Sequence, residues 1–108
     1  MMAPIIRVEA DPGICGFPCV IEARKKGPRA VSLKITGSEC EHIKRLSEDV
    51  VQMDLRDLFK PMTKNPVYVS AQQAGCHSSC PVPVAVLKAV EVAMEMALPR
   101  DVRIKFEK

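Results

Sequence analysis

The chain has 108 residues, 47% of them hydrophobic, a formal net charge of +3, five cysteines and no tryptophan. That length suits one domain, residues 1–108, with a single core, and so mild a charge dictates no partner. Its few aromatic side chains, Phe17, Phe59, Tyr68 and Phe106, leave the core to Val, Ile, Leu and Met.

Three strands are expected first. Residues 5–10 form a short apolar-rich run before Asp11-Pro-Gly13. Residues 17–23 follow, centred on Val20 and Ile21, and then Lys25-Lys-Gly-Pro-Arg29 turns the chain. Residues 31–36 alternate Val31, Leu33 and Ile35 with Ser32, Lys34 and Thr36, the period of a strand with one buried face. Ser38-Glu-Cys-Glu41 matches a capping box, so a helix should run from there to about Val51 on Ile43, Leu46 and Val50. Residues 54–59 read as a helical turn ended by Pro61. Asn65-Pro66 could cap a helix closed by Gly75, although Val67-Tyr-Val69 would also suit a strand.

The last helix is expected from Cys80 as N-cap to about Ala97, before Leu98-Pro99. Val86, Val90, Ala93 and Ala97 form one apolar stripe, and Ala85, Ala89, Val92 and Met96 form another. One stripe should meet the sheet. The second suggests a homodimer contact through the last helix. Residues 102–106 then close the chain as a strand. The resulting fold is α+β, a two-layer sandwich: a four-stranded, mainly antiparallel sheet covered by two principal helices.

The cysteines fall at element ends. Cys15 and Cys19 lie in and after a Gly/Pro-rich turn, Cys40 opens the first helix, and Cys76 and Cys80 precede the last one. In an uncrossed meander all of these ends share one pole of the sheet. Cys40 near one helix start and Cys80 at another would each feel a helix N-terminus, which favours thiolate. Two Cys-x3-Cys spacings, 15/19 and 76/80, fall within the zinc range but are weaker than paired Cys-x2-Cys. The plain alternative is packing, since Cys40 stands three residues before Ile43 on the apolar stripe. His77, inside the second spacing, could ligate a metal or act as a base. His42, two positions after Cys40 on a helix, should point away from it and be inert.

Other classes are disfavoured. Residues 1–7 lack a long apolar region and a cleavage site, so no secretory signal is expected. Lys88, Glu91 and Glu95 interrupt the longest apolar segment, so no membrane span is expected. An odd cysteine count without a signal points to a reducing, cytoplasmic setting, where clustered cysteines bind metal or do redox chemistry. Arg24 to Arg29 is the only basic cluster; without interleaved aromatics it reads as a solvated turn, not a nucleic-acid patch. Ser–His–Asp, P-loop and dinucleotide patterns are absent.

The blocks Pro12-Gly-Ile-Cys-Gly-Phe17, Ser38-Glu-Cys-Glu41, Cys80-Pro-Val-Pro83 and Lys88-Ala-Val-Glu-Val-Ala93, with Ala97-Leu-Pro-Arg-Asp-Val102, span most of the chain. In them the chain resembles a small family of uncharacterised single-domain proteins of mainly anaerobic microbes. The resemblance implies no settled activity. It implicates Cys15, Cys40 and Cys80, which lie inside its motifs, whereas Cys19 and Cys76 lie outside, against a closed four-cysteine site.

The leading expectation is binding of a metal ion or iron–sulfur cluster through Cys15, Cys40 and Cys80, with Cys76, Cys19 or His77 completing or guarding the site. Ligand softness favours zinc or an iron–sulfur cluster without choosing between them. One alternative is a metal-free thiol–disulfide protein exchanging Cys76/Cys80 or Cys15/Cys40. Another is an interaction module with inert cysteines.

Overall fold

A computed structural model describes residues 4–108 of the chain. Its order is β1 (Ile5–Ala10), β2 (Cys19–Lys26), β3 (Ala30–Thr36), α1 (Glu41–Asp49), β4 (Gln52–Asp54), α2 (Pro66–Ala74) and α3 (Val82–Ala93). Short 3-10 turns occupy Gly13–Cys15, Leu55–Phe59 and Met62–Lys64. The four strands form one antiparallel sheet in the order β1-β2-β3-β4, so the protein is α+β.

Alternation along β2 and β3 decides which face is buried. Cys19, Ile21 and Ala23 on β2, and Val31, Leu33 and Ile35 on β3, turn inward. The register sets Ile21 beside Val8 and Ile35, Ala23 beside Leu33, and Val31 beside Met53. Helix α3 lies over β1 and β2, while α1 packs between β3 and α2. Ile43, Leu46 and Val50 from the α1 segment and Val67, Ala71 and Ala74 from α2 complete the core with Val82, Val86 and Val90.

Several element ends differ from expectation, each for a local reason. The basic residues Arg24, Lys25 and Lys26 continue β2 in register with Ala30 to Ser32, so the turn is narrower than expected and begins at Gly27, with φ +73°. Helix α1 starts at Glu41 with Cys40 as N-cap; the Ser38 hydroxyl accepts from the Cys40 N–H (3.1 Å) instead of capping a helix begun at residue 39. Asp54 and Asp57 form a reciprocal capping box on the 3-10 turn. Asn65 caps α2, Pro66 takes N1 and Gly75 takes the left-handed C-terminal position, as the sequence suggested.

Helix α3 is shorter than the expected 80–97. The Cys80 N–H closes a turn onto the His77 carbonyl (3.0 Å), and Pro81, not Cys80, is the N-cap. At the other end Glu95, at φ 63°, and Met96 donate to the carbonyls of Val92 and Glu91, a left-handed stop placed before Pro99. The second apolar stripe is divided: Ala89 is fully buried, Ala85 and Val92 are half-buried, and Met96 is exposed beyond the helix end. The expected strand at 102–106 is absent. The fourth strand is β4, because Gln52 to Asp54 can pair with Ala30 to Ser32 directly after α1. Among the described residues no helix is long and apolar enough to cross a membrane.

Candidate thiol and imidazole site

The sheet topology brings three connections to one pole: β1–β2, β3–α1 and α2–α3. A cavity of about 100 Å³ opens among them, lined by Pro12 and Ile14 from the first connection, Cys40, His42 and Ile43 from the second, and Cys76, His77, Ser79, Cys80 and Pro81 from the third. Cys40, Cys76 and Cys80 are half-buried around it. Cys19, paired with Ala10 at the start of β2, is buried. These four thiols are not in disulfides. The side chain of Cys15 lies outside the described residues; its backbone ends the first 3-10 turn.

The thiols sense one another. Burial, and then the charges that Cys80 and Cys40 would carry, push the Cys19 thiol up to about 11. Cys76 is raised in the same order of causes: burial first, then Cys80 and Cys40. The Arg45 guanidinium and a backbone N–H oppose that rise without cancelling it. Cys19 and Cys76 are therefore thiols, not thiolates, at neutral pH.

His42 is the member that sequence reasoning missed. Its Nδ1 donates to the Ala74 carbonyl at 2.9 Å. A carbonyl oxygen can only accept, so in the neutral ring Nε2 keeps its lone pair. Gly75, with φ +81°, makes room for the ring: a Cβ there would stand 3.0 Å from Nδ1 and 3.2 Å from Cε1. The His77 ring is tilted 48° to it at 6.1 Å between centroids. The helical-spacing argument that turned His42 away from Cys40 fails because Cys40 is an extended N-cap residue, φ −74° and ψ 124°, and not a helical one. The usable signal was His42 near a helix start that also carried a cysteine.

The nearby acids have local duties. Asp11 accepts from the Gly13 N–H at 3.0 Å, and Glu41 pairs with Lys44 at 3.6 Å. Among the described residues no three His, Cys, Asp or Glu side chains already stand as a metal-binding group. The arrangement is a set of adjustable soft donors at the rim, Cys40, Cys76, Cys80 and His77, with an anchored imidazole and a buried thiol beside them.

No curated protein and no solved structure matches the chain. Residues 6–106 match the family described as Family of unknown function (DUF6951). That stretch takes in every strand from Ile6 onward, every helix and all five cysteines, and the chain belongs to this family of unknown function.

Proposed function

We propose that the cysteine pole binds a soft metal ion through thiolates of Cys40, Cys76 and Cys80, with His42 or His77 supplying nitrogen. Cys19 is buried and close enough for charge on Cys80 and Cys40 to raise its thiol. The observation that carries this reading is the meeting of three cysteines and two histidines around one cavity of about 100 Å³. The bond from His42 Nδ1 to the Ala74 carbonyl supports it, because metal-bound imidazoles commonly tie their other nitrogen to a backbone carbonyl. A mixed sulfur–nitrogen donor set suits zinc. An iron–sulfur centre would use the thiolates alone.

Closing such a site requires side-chain rotation. Each cysteine has one rotatable side-chain bond to its sulfur, and Cys40, Cys76 and Cys80 are only half-buried. Metal-free thiol exchange within Cys76/Cys80 could not start from Cys76, which burial pushes toward the protonated form, whereas a bound metal would displace that proton.

The test is metal analysis and absorption spectroscopy on full-length protein purified anaerobically, followed by zinc titration against a competing chelator. The expected result is one zinc per chain, with Cys40→Ser, Cys80→Ser and His42→Ala each weakening binding by roughly 10- to 100-fold. Broad visible absorption with iron and inorganic sulfide would assign an iron–sulfur centre instead. Protein that carries no metal and binds none at micromolar concentration under reducing conditions would end the proposal.

A further inference from the structure

After α3 the chain runs out in an exposed segment with an unspent pattern. Val102, Ile104 and Phe106 are 59, 83 and 85% exposed. They alternate with Arg103, Lys105 and Glu107. That is the period of a strand with one face to bury, yet the segment pairs with no described strand of its own chain. Residues 102–106 fall inside the stretch matched by the family, so the segment is part of the shared domain.

The sheet has a place for such a strand. β1 is an edge strand six residues long, and its outer backbone groups have no ladder partner in the sheet. On its core face Ala10 is buried, but Ile6 and Val8 are only partly covered. The core therefore runs out beneath β1 before it is closed. Long open edges with apolar residues recruit further strands.

Charge selects a register. Arg7 and Glu9 face outward on β1, and Asp11 follows. Setting Phe106 antiparallel opposite Val8, and Ile104 opposite Ala10, places Glu107 at Arg7, Lys105 at Glu9 and Arg103 at Asp11. Every facing pair then has opposite sign. A shift by two residues one way sets Lys105 against Arg7, and the other way Glu107 against Glu9. The apolar residues of the segment fall on the same face as Ile6 and Val8.

Direction selects the partner. Helix α3 begins beside the exit of β1, at the cavity, and runs back over β1 and β2. The segment therefore leaves from the far end of the sheet. It would have to reverse along the whole sheet to run antiparallel to its own β1. A second copy related by a twofold axis across the strands presents the end of its β1 at that point. We propose that residues 101–107 form a fifth strand on the open edge of β1 in a second copy of this chain, exchanged reciprocally to build a twofold dimer. The dimer does not depend on metal binding.

Sedimentation equilibrium of the full chain, in reducing buffer with chelator, tests it. Wild type should show twice the 11.9 kDa chain mass at micromolar concentration. Ile104→Asp should give a monomer with unchanged far-ultraviolet circular dichroism. Lys105→Glu should weaken the dimer roughly tenfold, since the pair recurs twice by symmetry, and adding Glu9→Lys should restore it. A wild type that stays monomeric overturns the proposal, as does a monomer whose 101–107 amides resist hydrogen exchange, which would mean closure on its own sheet. A dimer that survives Ile104→Asp places the interface elsewhere and also overturns it. Should Ile104→Asp fail to fold, the solvent-facing charge pair decides, and absence of rescue by Glu9→Lys refutes the pairing.

Discussion

Replacing Gly75 by alanine probes the site through its support. Gly75 has φ +81°, so any Cβ pays the left-handed penalty, roughly 1 kcal/mol net after the gain from a stiffer unfolded chain. The same Cβ would stand 3.0 Å from His42 Nδ1 and force the ring aside. The ring then loses its 2.9 Å bond to the Ala74 carbonyl, about 1 kcal/mol more. The total is about 2 kcal/mol, or a fall in Tm of roughly 10 °C for a domain of this size. Gly27 supplies the control, because its φ is +73° and a Cβ there meets nothing within 4 Å. Urea unfolding of chelated protein should rank Gly75→Ala about 1 kcal/mol below Gly27→Ala. In a His42→Ala background the excess should vanish, a coupling of about 1 kcal/mol. Equal costs for the two glycines, or an unchanged cost without His42, would refute the idea that Gly75 exists to seat the imidazole.

Stability should also depend on alkaline pH through Cys19. Its folded pKa of about 11 lies above the ordinary 9.0, so the folded state holds the proton more tightly. The associated stability is complete below pH 9.0 and is lost as pH rises toward about 11, in all roughly 2–3 kcal/mol; urea midpoints across that range should show it, and Cys19→Ala should flatten the slope. Asn65→Ala should cost about 2 kcal/mol in the same assay, because Asn65 is buried, caps Val67 N–H at 2.9 Å and donates to the Asp57 carbonyl at 3.1 Å. Glu95→Gly should stabilise the protein by about 0.5–1 kcal/mol, measured as a raised Tm, since Glu95 holds a φ of 63° that glycine adopts freely.

Strands and helices with a strong period were legible in the chain. Val31, Leu33 and Ile35 announced β3, and Asn65-Pro66 with Gly75 delimited α2, because alternation and caps are local signals. The fourth strand was not legible. Gln52 to Asp54 has only Met53 as a buried residue, and it is made a strand by a neighbour already in place. Residues 102–106 carry a better strand pattern than β4 and find no partner among the described strands. Propensity proposes a strand, but hydrogen-bonding groups on another strand must accept it. The site was half legible for a similar reason. Connection lengths alone placed all five cysteines at one pole, and Cys40, Cys76 and Cys80 line its cavity, whereas His42 depended on whether Cys40 lay inside or just before a helix.

The caps themselves separate the pole from the rest of the fold. Away from the cavity, Asp54 and Asn65 hold the starts of their elements with side-chain oxygens on backbone N–H groups. At the cavity, α1 begins on Cys40 and α3 on Pro81, neither of which supplies a side-chain cap. A Ser, Thr, Asn or Asp at either position would stabilise its helix by about 1 kcal/mol. Ser38 partly offsets the loss at α1, yet its bond goes to Cys40 N–H and leaves the helix's own first donors to other partners. Two uncapped starts at one cavity, each with a half-buried thiol at or beside it, go against local preference in the same direction. Cys40 also packs against the core beside its helix start, which a capping serine would do less well. Local helix preference is thus set aside at this pole for half-buried sulfur, a compromise that packing and metal binding would both reward.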